Sequence, residues 1–323
     1  MDDYGRILVT GAAGFVGRHL LAALKARFPT AHLMAAVKPE DGLLPTLDAA
    51  ETVLPFDLLD PDAFGAMVAD LAPDGLIHLA AQSSVAASFA DAGSTWQANL
   101  LGTVALGEAV RLHRPRCRFV LASSAEVYGL SFRTGLPLDE AALLVPANPY
   151  AASKAASDLA IGEMSLRGLR ATRLRAFNHT GAGQSAAFVI AAFARQIALI
   201  EAGRQEPVLH VGQLDRWRDF LDVSDVCAAY VAALVADTEP GAVYNIASGT
   251  ARRIGDILNQ LLGRSHVKPV VEVAVAHLRP TDVDHVVGDM SLARRELSWA
   301  PTTAWDDTLD AVLDDWRKRV GSA

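Results

Sequence analysis

The chain has 323 residues, 51% of them hydrophobic and 20% charged, which excludes a disordered chain and allows about two domains or one large α/β unit. Its 29 Lys and Arg against 37 Asp and Glu leave a net charge of −8, which argues against a nucleic-acid partner while leaving room for a small anion held by a few arginines. The acidic opening Met1–Tyr4 reads as no signal peptide, no stretch reaches the roughly 18 apolar residues of a membrane span, and Cys117 and Cys227 lack disulfide or metal-ligand spacing. A cytoplasmic protein with no membrane partner and no metal is the expectation.

In chain order, Ile7–Thr10, Leu33–Val37, Leu76–Leu79 and Phe119–Ala122 read as short buried strands. Helical stretches near Val16–Arg27, Pro61–Leu71 and Thr95–Leu112 separate them. That alternation calls for a parallel sheet with helices on both faces. An alanine-rich helix over Pro149–Arg167 and a strand over Leu169–Leu174 follow. Past residue 176 the rhythm changes: a helix over Phe188–Ala202, extended pieces at Pro207–Val211 and Arg218–Asp222, a helix over Val226–Val235 and a strand over Val243–Ala247. The expected class is α/β: a Rossmann-type doubly wound parallel sheet over residues 1–175, to which about 219–247 returns, with a smaller mixed α/β substrate domain over 176–323.

Thr10 leads into Gly11-Ala12-Ala13-Gly14-Phe15-Val16-Gly17, with glycines at i, i+3 and i+6 between a strand and a helix. The first glycine permits a tight turn, the second lets backbone approach a pyrophosphate, and the third lets helix and strand pack closely. The helix N-terminus then offers N–H groups and a positive dipole end to the phosphates. The second strand ends Ala35-Ala36-Val37-Lys38, without the Asp or Glu that holds a ribose 2′-hydroxyl in NAD-selective sites. A cation there suits a 2′-phosphate, so NADP(H) is favoured, with NAD(H) left open. Asp57, in the loop after the third strand, is either an adenine contact or a turn residue.

Tyr150 and Lys154 stand four apart at a helix start, hence on one face. A tyrosine hydroxyl titrates near pH ~10, and a neighbouring ammonium stabilises its phenolate. Ser123 and Ser124 close the strand Phe119–Ala122, at the sheet end where such folds place their ligands.

With these residues in order, the sequence resembles the extended short-chain dehydrogenase/reductases that act on nucleotide sugars. The resemblance spans essentially the whole chain, carried by TGAAGFVG (Thr10–Gly17), HLAA (His78–Ala81), SSAEVYG (Ser123–Gly129) and PYAASK (Pro149–Lys154). It implies a catalytic set of Ser124, Tyr150 and Lys154, with Glu126 in the position of a dehydratase base. It implies cofactor contacts from Gly11, Gly14, Phe15, Val16, Gly17, Lys38, Asp57, Leu58, Leu79, Ala80, Ala81 and Asn99 beside Tyr150 and Lys154. Asn178-His179-Thr180-Gly181, Arg218-Asp219-Phe220 and Arg279-Pro280-Thr281-Asp282 resemble the GDP-hexose branch. By that resemblance Gln82, Ser83, Ser124, Asn178, Val189, Arg218, Arg279 and Asp282 meet the substrate. Arginine's rigid fork suits its diphosphate.

The implied activity is reduction of the C4 keto group of a GDP-linked 4-keto-6-deoxyhexose, GDP-4-keto-6-deoxy-D-mannose, to GDP-D-rhamnose. The alternative is 4,6-dehydration of GDP-mannose with Glu126 as base. Arg18-His19 stands where the dehydratases carry Gln-Asp, and Ala182 replaces a family proline. The resemblance also implies a homodimer built on the two alanine-rich helices. His78 reads as structural, and the other histidines have no metal-ligand spacing.

Overall fold

The computed structural model describes residues 4–40, 42–273 and 283–321. In chain order its elements are β1 (Arg6–Thr10), α1 (Phe15–Arg27), β2 (His32–Val37), β3 (Thr52–Pro55), α2 (Phe64–Leu71), β4 (Gly75–His78), α3 (Val85–Ala90), α4 (Ala92–Trp96), α5 (Thr103–His113), β5 (Arg118–Ser124), α6 (Pro149–Leu166) and β6 (Ala171–Ala176). There follow β7 (Asn178–Thr180), α7 (Val189–Glu201), β8 (Val208–Val211), β9 (Trp217–Asp222), α8 (Val223–Val235), β10 (Ala242–Ile246), β11 (Ala251–Arg253), α9 (Ile254–Gly263), β12 (Val270–Val273), β13 (His285–Val286), α10 (Ser291–Glu296) and α11 (Trp305–Gly321).

Seven strands form one parallel sheet in the order β10-β6-β5-β4-β1-β2-β3. Its central strands are buried on both faces because helices cover both, as all four residues of β4 show. One face packs against α1 and α8, with Leu20, Leu21 and Leu24 of α1 meeting Val226, Ala229 and Tyr230 of α8. Each such leucine, fully buried, contributes about 1.5–3 kcal/mol. The other face packs against α2, α5 and α6 through Phe64, Val68, Leu106, Val110, Ile161 and Met164. Strand order reverses between β1 and β4, so the crevice at their carboxyl ends is the fold's natural ligand position.

After β6 the chain leaves the sheet, and β7 pairs with β9, which also pairs with β11 and β13. A separate apolar cluster there joins α7, α9 and α11 through Phe193, Ile197, Leu258, Leu261, Leu309 and Leu313. Between these pieces the chain returns: α8 lies on the first face and β10 pairs in parallel with β6.

Two local features differ from the sequence reading. The helix expected over Thr95–Leu112 is interrupted, because Gln97–Gly102 winds as a π-helical turn between α4 and α5. The strand expected over Leu169–Leu174 lies two residues later, at Ala171–Ala176, since Gly168 takes a left-handed φ of 101° to turn out of α6.

Candidate active site

The glycine loop is built by close approach of backbones. Gly11 has φ +69°, and a Cβ there would stand 2.8 Å from the Ala80 nitrogen. A Cβ on Gly17 would stand 2.5 Å from the Gly11 oxygen. Gly14 donates its N–H to the Gly11 oxygen at 3.0 Å and caps α1 without a side-chain hydrogen bond, so no side chain occupies the first-turn N–H groups. Those groups are what a pyrophosphate needs, and the cradle fits a dinucleotide.

Around the loop, Leu79 donates its N–H to the Thr10 oxygen at 3.2 Å and Ala80 to the Thr10 hydroxyl at 3.3 Å, which sets Leu79, Ala80 and Ala81 beside it. Lys38 and Asp57 come together as an ion pair at 3.4 Å. Leu58 is buried against Gly102, whose missing side chain admits it. Phe15 stacks against His179 with centroids 6.2 Å apart and meets His19 edge-on at 5.5 Å. The His19 Nε2 bonds the Ala182 oxygen at 2.8 Å, so the glycine loop and the 178–184 loop touch.

Asn99 sits in the π-helical turn, a backbone form often found at functional sites. Its amide donates to the Gln82 oxygen and the Ser153 hydroxyl, each at 3.0 Å, and accepts from the Gln82 N–H at 2.8 Å. It thereby ties the segment after β4 to α6.

Asn148 caps α6 by accepting the Ala151 N–H at 2.7 Å, and Pro149 follows at the first helical position. Tyr150 therefore lies in the first turn, at the positive end of the helix dipole, and Lys154 one turn on. Ser124 ends β5 near the Tyr150 phenol, and its hydroxyl accepts the Glu126 N–H at 3.2 Å. Burial pushes the Tyr150 phenol up to about 12, eased by the Ser124 hydroxyl and reinforced by the Glu126 charge. Burial pulls the Lys154 ammonium down to about 8, opposed by the Asp158 carboxylate, and its Nζ donates to the Ala122 oxygen at 2.5 Å. Glu126 is exposed beside this group and accepts from the Asn148 amide at 3.3 Å.

His78 is buried between the hydroxyls of Thr10, at 2.7 Å, and Thr103, at 3.0 Å. Burial, then the Lys154 charge, lowers it to about 3, so it stays neutral and acts as a strut.

Of the expected substrate residues, Gln82 bonds Thr95 at 3.1 Å and Ser83 is exposed next to it. Asn178 begins β7 with its side chain exposed, and Val189 opens α7. Arg218 lies on β9 and donates to the Trp217 oxygen at 2.9 Å. Arg279 and Asp282 lie outside the described residues. Among the described residues no group of three or more His, Cys, Asp or Glu gathers to hold a metal.

Sequence reasoning missed a buried polar cluster beneath the site. Asp158, fully buried, accepts from Ser123 at 2.5 Å, from Arg173 at 2.8 Å and from Arg175 at 3.0 and 3.2 Å. The available signal was its place four residues after Lys154, on the same helix face.

The family model described as GDP-mannose 4,6 dehydratase matches residues 8–312. The chain is 39% identical to the GDP-6-deoxy-D-mannose reductase of Pseudomonas aeruginosa, over 98% of each chain. It is 30% identical to the GDP-mannose 4,6-dehydratase of Sinorhizobium fredii, over 78% of this chain and 76% of that one. It superposes on the structure of RMD from Pseudomonas aeruginosa complexed with NADPH with a TM-score of 0.83, at 37% identity, covering 98% of this chain and 99% of that one.

Proposed function

The chain belongs to the GDP-mannose 4,6-dehydratase family, and from that premise we propose that it is a reductase. It reduces the C4 keto group of GDP-4-keto-6-deoxy-D-mannose with NADP(H), or NAD(H), to give GDP-D-rhamnose. The carrying observation is the 39% identity to the Pseudomonas reductase over 98% of each chain.

Gly11, Gly14, Phe15, Val16 and Gly17 would hold the pyrophosphate and Lys38 a 2′-phosphate. Asp57, Leu58, Leu79, Ala80, Ala81 and Asn99 would line the rest of the cofactor groove. A nicotinamide bound there would supply the hydride for C4. Tyr150 donates the proton to the C4 oxygen, for which a phenol that holds its proton at neutral pH is the right form. Ser124, at the end of β5 beside that phenol, fixes the same oxygen. Lys154 stabilises the phenolate left behind, helped by the helix dipole. Gln82, Ser83, Asn178, Val189 and Arg218 hold the sugar nucleotide, Arg218 by charge on the diphosphate.

A second reading, 4,6-dehydration, is favoured by the exposed Glu126 carboxylate beside Tyr150. One assay separates the two. Loss of NADPH absorbance in step with added GDP-4-keto-6-deoxymannose supports the reductase. Conversion of GDP-mannose to a keto sugar without net cofactor loss makes it a dehydratase.

A cytoplasmic homodimer completes the proposal. Leu101, Ala105 and Leu112 along the π-turn and α5, and Ala152, Ala156, Leu159 and Leu166 along α6, recur at helical spacing, and the four leucines among them are more than half exposed. Two such stripes packed against a second copy's pair make a four-helix interface. Both thiols, Cys117 and Cys227, are buried and free, as suits a reducing compartment.

A further inference from the structure

Asp158 lies one helical turn beyond Lys154 and two beyond Tyr150, on the helix face turned to the sheet. Its carboxylate oxygens are shared among three donors from two strands. Ser123 donates at 2.5 Å, Arg175 at 3.0 and 3.2 Å, and Arg173 at 2.8 Å. Ser123 and Arg175 are direct partners in the β5–β6 register, and Ser124 is the next residue along β5. The carboxylate therefore grips both strands at the rung below Ser124.

Arg175 is itself held. It donates to the Tyr128 hydroxyl at 3.0 Å and to the Glu140 oxygen at 3.2 Å, and its guanidinium lies 5.1 Å from the Tyr128 ring centre. Tyr128 donates on to Asn245 of β10 at 2.7 Å. Arg173 is anchored through the Gly241 oxygen at 2.6 and 3.2 Å. The cluster thus joins α6, β5, β6 and β10 behind the site.

Its charges are unequal. Arg173, Arg175 and Lys154 are three cations around one buried carboxylate. The other titratable groups facing this region are Tyr150 on α6, His78 from β4, Glu126 and Tyr128 from the 3-10 turn after β5, Glu140 from the loop before α6, and Tyr230 of α8. Glu108 of α5 is engaged with Arg111 and Arg167 at the far end of α6, and Asp91 caps α4. Of the carboxylates, Asp158 is the one that acts on Lys154.

We propose that Asp158 is a positioning residue for the reduction: it clamps the helix carrying Tyr150 and Lys154 to the strand end carrying Ser124, and it places a buried carboxylate one helical turn from Lys154. The proposal rests on the reading of Ser124, Tyr150 and Lys154 given above. It assigns a task to a buried group that touches neither substrate nor cofactor.

The test is the pH dependence of kcat for NADPH-driven reduction, with melting curves to confirm folding. Asp158→Asn keeps the shape and removes the charge. It lowers kcat at least tenfold with KM little changed, and moves the alkaline limb toward acid by about one pH unit, the effect of losing an opposite charge nearby. Arg173→Gln removes a competing cation and moves the limb the other way. Ser123→Ala cuts one strand tie, lowering kcat with the limb in place. A folded Asp158→Asn enzyme whose limb matches wild type overturns the charge role, and wild-type kcat in Ser123→Ala overturns the clamp. Should Asp158→Asn fail to fold, Arg173→Gln decides the charge role alone: an alkaline shift supports it and an unmoved limb overturns it. Tyr150→Phe separates the two levels. If that variant turns over, the triad reading fails; if it is dead while the limbs stay fixed, only the Asp158 role fails.

Discussion

Adding one methyl group at Gly17 tests how the nucleotide cradle is built. A Cβ there would lie 2.5 Å from the Gly11 oxygen and 2.6 Å from both the Cα and the oxygen of Ala12. All three are backbone atoms, so no side chain can swing aside. Restoring ordinary contact requires α1 to retreat by about 0.9 Å in a close-packed interior. That retreat loosens Leu20, Leu21 and Leu24, which are at most 1% exposed, and overpacking of this kind costs about 1–3 kcal/mol. It also carries the first-turn N–H groups away from the phosphates. Losing one charge-assisted hydrogen bond, about 1.5–3 kcal/mol, weakens binding by roughly 10- to 150-fold. Titration of NADPH by nicotinamide fluorescence, with a parallel melting curve, measures both effects. Gly263→Ala is the control: its Cβ meets nothing within 4 Å at the end of α9, so the variant keeps wild-type affinity. Wild-type NADPH affinity and melting in Gly17→Ala would refute the close seating of α1 on its loop.

Other perturbations give separate readings. Lys38→Ala raises the KM for NADPH about tenfold, the worth of one charged contact, and leaves that for NADH unchanged; equal effects on the two would remove Lys38 from the 2′-phosphate. Asn148→Ala removes the cap of α6, lowering stability by about 0.5–2 kcal/mol in denaturant titration and lowering kcat as the first turn frays. His78 stays neutral in the fold to about pH 3 while an unfolded histidine takes a proton near 6.5. The unfolded state therefore binds more protons between those values, and stability falls as pH drops below 6.5 by up to about 1.4 kcal/mol per unit. His78→Gln flattens that part of the melting-temperature profile, whereas an unchanged slope assigns the acid loss to other groups. Leu159→Glu with Leu166→Glu yields a protein of monomer mass by light scattering; a retained dimer mass would place the interface elsewhere.

The parts of this site that could be read in advance are those whose logic is local. The glycine spacing from Gly11 to Gly17, the strand before it and the Tyr150–Lys154 pair each lie within one turn or one element, where chain geometry determines which atoms meet. The Asp158 cluster is different, because Ser123, Arg173 and Arg175 reach it only through the β5–β6 register and the seating of α6 on the sheet. The π-helical turn at Gln97–Gly102 is likewise invisible to helical periodicity. Its residues keep a helical pattern while Asn99 is drawn inward by partners at Gln82 and Ser153. The two-residue displacement of β6 reflects the left-handed Gly168, a turn signal outweighed by the apolar run around it.

The late return of β10 to the edge beside β6 has a kinetic consequence. While the chain is being made, the apolar face of α1 lacks the helix that covers it until Val235 has been added, and β6 is an open strand edge until Ile246. At about 5–20 residues per second, the stretch after Ala176 takes on the order of 4–14 s to synthesise. Through that interval the first 176 residues carry an unpaired edge able to recruit foreign strands. A chain stalled in that interval keeps this edge unpaired, because the strand that closes it comes after the intervening α7, β8 and β9.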